Sequence, residues 1–222
     1  MQIACEDGRV FLAPAGRTAL VAIDMQRDFL EDGGFCAAAG DDVALLRTAI
    51  PKVAALSAAA RRAGWTLIHT REGYAPDMSD ASAMKRERKV AGRDGPLGRF
   101  LIRGEAGHDF IPELMPHQGE IVVDKPGFGA FHRTDLQAKL TALGIDRLIL
   151  CGITTQCCVQ STMREAVDRG FYCLTVADAC AAFEPAVHAA ALTLIRAENN
   201  LFGWIADTEA VVAAAGSSSA AA

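Results

Sequence analysis

Short apolar, β-rich runs alternate with helical patterns along the chain. TALVAID (18–24), WTLIHT (65–70), EIVVDK (120–125), RLILCGI (147–153) and FYCLTVAD (171–178) have the length and composition of strands, and LFGWIA (201–206) is a shorter sixth candidate. Between them, residues 42–63, 134–144, 155–169 and 184–200 read as helices. Gly64, Gly144 and Gly170 stand at helix ends, Thr134 at an N-cap and Pro185 in a first turn. Pro51 predicts a kink or a break within 42–63. A short terminal helix is expected after the sixth strand. Strands alternating with helices predict a parallel sheet covered on both faces: a three-layer α/β/α sandwich on a six-stranded, mostly parallel sheet. No repeat or linker divides the chain, so residues 1–212 form one domain. AAAGSSSAAA (213–222) is a low-complexity tail, expected to be disordered.

Composition narrows the class. The 222 residues are enough for a substantial core, and a net charge of −5 argues against a nucleic-acid footprint. No apolar run is expected to reach the ~20 residues of a membrane span, and the opening MQIACEDGRVF lacks the apolar segment of a signal peptide. The seven cysteines are odd in number and show no C-x-x-C spacing, which suits a reduced, cytoplasmic protein. The five histidines are scattered, so no zinc site is expected. Residues 71–119, with MKRERK at 84–89, are charged and rich in Gly and Pro. They predict a long excursion over the sheet rim: a solvated loop, a subunit contact or a substrate gate.

In an open parallel sheet, ligands bind beyond the carboxyl ends of the strands. Three reactive side chains fall there. Asp24 ends the first strand, Lys125 ends the third, and Cys157 and Cys158 open the helix after the fourth. A helix N-terminus and a nearby lysine are expected to lower a thiol's pKa. A carboxylate can take the thiol proton and return it to a departing amine. Backbone N–H groups in GITTQCC can stabilise an oxyanion. Together these suit an amide hydrolase working through a thioester. Each residue also has a plainer reading: Asp24 as a cap, Lys125 as a surface lysine, the cysteine pair as packing. Cys151 and Cys173, inside strands, read as core.

D-M-Q-x-D-F (24–29), D-K-P-G with a following Phe (124–131) and G-I-T-T-x-x-C-V-x-S-T-x-R-E-A (152–166) resemble the isochorismatase-like cysteine hydrolases over roughly residues 17–206. HTREGYAPDMSD (69–80) and IRGEAGHDFIPEL (102–114) resemble the ureide-cleaving branch, with its biuret hydrolases and ureidoacrylate amidohydrolases. The resemblance implies a triad of Asp24, Lys125 and Cys158, the nucleophile being the cysteine followed by Val. It also implies a cis Ile153–Thr154 peptide, an oxyanion hole from the N–H groups of Thr154 and Cys158, and a homo-oligomer, dimer or tetramer. Where nicotinamidase relatives carry a metal-binding Asp-x-His motif this chain has HTREG, so neither metal nor other cofactor is expected.

A biuret-type substrate is small and planar and needs an aromatic wall with a few aimed polar groups. Phe29 is a candidate wall. The biuret hydrolases that the chain resembles align a Gln with Glu198; Glu198 is a candidate acceptor whose departure from Gln suits triuret or the guanylurea cation better than biuret itself. The alternative substrate is ureidoacrylate or an N-carbamoyl amino acid; its carboxylate calls for an arginine, either Arg71 or one in the 84–103 segment. Two further readings remain open: a thiol redox protein using Cys157 and Cys158, and a non-catalytic scaffold on the same fold.

Overall fold

Six strands form one sheet, and every neighbouring pair is parallel. They are β1 (Thr18–Ile23), β2 (Thr66–Glu72), β3 (Ile121–Lys125), β4 (Arg147–Ile153), β5 (Tyr172–Ala181) and β6 (Trp204–Ala206), in the order β6-β5-β4-β1-β2-β3. The structure is a computed structural model and describes residues 1–88 and 90–217. Alternation along β1 divides the core into two layers. Ala19, Val21 and Ile23 pack with Leu136, Met163 and Ile195 on one face, and Leu20 and Ala22 with Leu56, Ala60 and Val211 on the other. Burial on both faces explains why these strands read as continuous apolar runs.

The helices fall as the alternation predicts. α1 (Val43–Arg47) and α2 (Ile50–Ala63) divide residues 42–63 just ahead of Pro51, which occupies the first turn of α2. Gly64 closes α2 with φ 67°. The 21 residues 43–63 are, against expectation, long and apolar enough to cross a membrane by length and composition. Here they break in two, and Val53, Leu56, Ala59 and Ala60 pack into the core. α3 (Leu136–Ala142) and α4 (Gln160–Asp168) cover the opposite face together with α5 (Pro185–Asn200). α6 (Thr208–Gly216) returns to the α2 side. The low-complexity stretch therefore begins inside α6, where Ala214 and Ala215 are buried, rather than after residue 212. Its last residues, 218–222, lie outside the described residues, as does Lys89.

Two features were not expected. A hairpin pairs Gln2–Ala4 with Val10–Leu12. The excursion after β2 also has a core of its own, in which Tyr74, Phe100, Leu101 and Ile102 pack with Phe35 and Val43. Among the described residues it carries one short α-helix, Ala83–Arg88, with no buried residue, and two 3-10 turns, Ala106–His108 and Pro112–Leu114.

Candidate active site

The chain runs from β1 outward through β2 to β3, then returns to β4 beside β1 and runs outward the other way. Strand order reverses between β1 and β4, which opens a crevice at their carboxyl ends. Asp24 follows β1 directly. Gly152–Ile153 end β4, and the chain then enters a wide π turn, Thr155–Val159, ahead of α4.

Asp24 is fully buried, with φ 53°. Its N–H donates to the Thr70 carbonyl at 3.1 Å, and the Thr70 hydroxyl donates to Oδ1 at 2.6 Å. Lys125 Nζ lies 2.7 Å from Oδ2 and donates to the Gly127 carbonyl at 3.0 Å. Burial of Asp24 outweighs the Lys125 ammonium and raises the carboxyl above its usual range. Burial disfavours the Lys125 charge too, but Asp24, Cys158 and Glu72 hold the ammonium above the usual lysine range.

Cys158 is buried, and its sulfur lies 3.5 Å from Glu72 Oε2. Glu72 ends β2, and its other oxygen accepts from Tyr74 Oη at 2.7 Å and Lys85 Nζ at 2.6 Å. Burial pushes the Glu72 carboxyl up, yet Lys125, Lys85 and the Tyr74 hydroxyl prevail and hold it below its ordinary value. The neighbouring Cys157 thiol, burial, and the carboxylates of Asp24 and Glu72 keep the Cys158 thiol well above the usual range, against the pull of Lys125. This reverses the expectation of a lowered thiol. Two carboxylates face the sulfur, and the Lys125 charge is already matched by Asp24. The Cys158 sulfur has a carboxylate base beside it.

Asp24, Glu72 and Cys158 offer ligand atoms within 4.8 Å of one another. The trio has the donor chemistry for a small cation. Lys125 and Lys85 already supply one ammonium to each carboxylate.

The rest of the motif residues hold this arrangement. Gln26 accepts from the Glu72 N–H at 2.8 Å and donates to the Glu72 and His108 carbonyls. Buried Asp28 accepts from the Leu101 N–H at 3.1 Å, fastening the excursion to the β1 end. Thr162 and Glu165 of α4 accept from the N–H groups of Ala130 and Phe131, fixing the loop after Lys125. The Ile153–Thr154 peptide is cis. Gly152 has φ 111°, and a Cβ there would lie 2.2 Å from the Ile23 carbonyl oxygen.

A cavity of about 360 Å³ opens onto the sulfur. Cys157, Cys158, Ile153 and Thr154 form its floor, with Phe29, Phe100, Phe128 and Phe183 among its apolar walls. Among the described residues, Glu72, Lys85 and Arg88 are its charged lining. Part of the predicted excursion thus covers the site.

Residues 18–210 match the isochorismatase domain. The chain belongs to the isochorismatase family. It is 34% identical over 218 residues to a ureidoacrylate amidohydrolase of Methylorubrum extorquens, covering 93% of this chain and 86% of that protein. It is 31% identical to one from Acinetobacter baylyi, with the same coverages. Among solved structures, a cysteine hydrolase from Pseudomonas syringae pv. phaseolicola superposes with a TM-score of 0.81 at 28% identity, over 93% of this chain and 95% of that one. An isochorismatase family protein from Desulfovibrio vulgaris gives 0.77 at 28% identity, over 90% and 98%.

Of the residues predicted for the site, Asp24, Lys125, Cys158, Ile153, Thr154 and Phe29 come together at one end of the sheet. Arg71 and Glu198 do not. Arg71 makes a bidentate pair with Asp124 at 2.7 and 3.1 Å, and a third contact to Asp109 at 3.0 Å. Successive side chains of a strand alternate, so Glu72 enters the site while Arg71 turns away. Glu198 is exposed, near the end of α5. A crossover helix that starts at the carboxyl end of one parallel strand finishes near the amino end of the next, so Glu198 is carried to the far side of the sheet. Glu72 is the residue that the sequence reading missed. Its place in HTREG, one position beyond the arginine singled out there, was the available signal.

Proposed function

We propose that this chain is a cysteine amidohydrolase that cleaves the C–N bond of a small linear ureide bearing a carboxylate, of the ureidoacrylate or N-carbamoyl amino acid type. The observation that carries the reading is the buried Cys158 thiol facing two carboxylates, each paired with an ammonium group.

Asp24, with its raised carboxyl, takes the thiol proton as Cys158 attacks the ureide carbonyl carbon. The N–H groups of Thr154 and Cys158 receive the developing oxyanion. The proton returns to the leaving nitrogen, the C–N bond breaks and ammonia departs, leaving a carbamoyl thioester. Water, deprotonated by the same carboxylate, attacks the thioester and restores the thiol. The carbamic acid released loses carbon dioxide, so one ureide and one water give an amine, ammonia and carbon dioxide. Lys125 holds Asp24 in place throughout. Glu72 orients the sulfur.

The carboxylate end of the substrate is supported by two features. Arg88, one of the arginines of the 84–103 segment, lines the cavity. The curated relatives described above are ureidoacrylate amidohydrolases by name. The case for a cationic ureide rested on Glu198, which lies outside the cavity lining. The test is intact-protein mass spectrometry on samples quenched during turnover of 3-ureidoacrylate. An acyl adduct on the Cys158 peptide is expected; an adduct on Cys157, or turnover that survives Cys158→Ala, overturns the reading.

A further inference from the structure

Among the described residues, the charged lining of the cavity is three groups, and two of them come from one short helix. Lys85 and Arg88 are three residues apart on Ala83–Arg88, a spacing that puts both on one helix face. Lys85 is tightly held: its ammonium lies 2.6 Å from Glu72 Oε1 and 3.5 Å from the centre of the Phe128 ring. Its side chain is only 14% exposed. Arg88 has no ion-pair partner among the described residues, and its guanidinium is spoken for by nothing on its own helix.

The charges then decide what can enter. Deep in the site, Asp24 and Lys125 cancel each other. Glu72 alone would make the remaining lining negative and would repel an anion. With Lys85 and Arg88 added, the lining formed by the described residues is net positive by one charge. A neutral ureide gains nothing from that excess, a cation is repelled, and a monoanion is matched. An ammonium has three donors, so Lys85 can keep its bond to Glu72 and still offer others to a second carboxylate. Arg88 adds a planar fork suited to carboxylate geometry.

We propose that Lys85 and Arg88 form a carboxylate clamp that selects short monoanionic ureido acids over neutral and cationic ureides. The inference rests on the proposed function for the reaction, and it assigns the selectivity to the helix at 83–88. The single Glu72 carboxylate separates the Lys85 ammonium from the Cys158 sulfur. The clamp therefore suits a substrate with one or two carbons between the ureido nitrogen and its carboxylate. Lys85 also holds Glu72 beside the sulfur, whereas Arg88 touches none of the reacting groups, so Arg88→Gln is the cleaner probe.

The test compares 3-ureidopropionate with its neutral amide, 3-ureidopropionamide, in two assays. In turnover, the clamp predicts that Arg88→Gln raises KM for the anion on the order of tenfold, the loss of one charge-assisted hydrogen bond, with kcat kept. The amide should be unaffected. In calorimetry on the Cys158→Ala protein, the anion should bind more tightly than the amide, and Lys85→Gln with Arg88→Gln should abolish the difference. Equal losses for anion and amide, or no loss for either, overturn the clamp. Preferential binding of the anion without turnover by the unaltered enzyme upholds the clamp and overturns the proposed reaction. Turnover of both compounds without preference does the reverse.

Discussion

Glu72 Oε2 stands 3.5 Å from the sulfur of Cys158, and the opposite oxygen of the same carboxylate is held by Lys85 at 2.6 Å and by Tyr74 at 2.7 Å. The group beside the nucleophile is thus clamped and charged. Replacing it with glutamine keeps the shape and removes the charge. Glu72→Gln should lower kcat by roughly 10- to 100-fold, the loss of a charge-assisted hydrogen bond that orients the sulfur. The same change removes one of the carboxylates that hold the Cys158 thiol up. Alkylation of Cys158 by iodoacetamide at neutral pH should therefore become faster while hydrolysis becomes slower. A fall in both rates would show that Glu72 acts only by keeping the turn folded.

Asp24 and Lys125 form an ion pair with no exposed surface on either side. Deleting one partner leaves the other charge buried. Lys125→Ala should abolish turnover and cost about 3–5 kcal/mol of stability, read from urea denaturation. Asp24→Asn paired with Lys125→Met, which removes both charges, should recover much of that stability and none of the activity.

Gly152 sits against the β1 backbone, where a Cβ would overlap the Ile23 carbonyl oxygen and amide nitrogen. Neither can move without opening the β1–β4 ladder. Gly152→Ala should cost more than about 3 kcal/mol, among the larger single-substitution effects. Activity should be lost with it, because Asp24 and the Cys158 turn both hang from that ladder. Thermal unfolding and turnover measured together check this.

Asp28 supplies a pH dependence whose sign can be stated. Burial raises its carboxyl to about 6, against the hydrogen bond from Leu101 that favours the charged form. A carboxyl raised on folding contributes its stability fully below the unfolded pKa of about 4, and loses it as pH rises through the folded value. Asp28→Asn should therefore be more destabilising, relative to the parent, at pH 4 than at pH 8. Denaturant midpoints at the two pH values measure it; a pH-independent difference would show that the Asp28 carboxyl titrates normally.

The parts of the fold that were legible follow from simple periodicities. All six strands were read from their apolar runs, because a sheet covered on both sides leaves few polar interruptions. Pro51 and Gly64 marked α2 correctly because their backbone constraints are local. The hairpin at 2–12 was missed, since its three-residue strands bury only one residue each. The tail boundary was misread because composition hid a helix whose buried face consists of small residues.

In the site, the strand-end rule brought forward Asp24, Lys125 and the Cys157–Cys158 pair without any knowledge of their contacts, and the resemblance to cysteine hydrolases singled out Cys158. Arg71 was preferred over Glu72 because the choice depends on strand phase at the last residue, where one position reverses the side chain. Glu198 was placed by its alignment with a glutamine of the biuret hydrolases, without regard to helix polarity, which carries it to the opposite end of the sheet. The direction of the Cys158 shift needed both carboxylates, and one of them was the residue that had been passed over.

The central claim is that the Cys158 thiol does the chemistry on a ureide and that its neighbour does not. The most direct measurement is ammonia release from 3-ureidoacrylate by the parent protein, Cys158→Ser and Cys157→Ser, each checked for an unchanged thermal transition. The account predicts near-complete loss in Cys158→Ser and most of the activity kept in Cys157→Ser. Loss confined to Cys157→Ser, or ammonia release undiminished in Cys158→Ser, would contradict it.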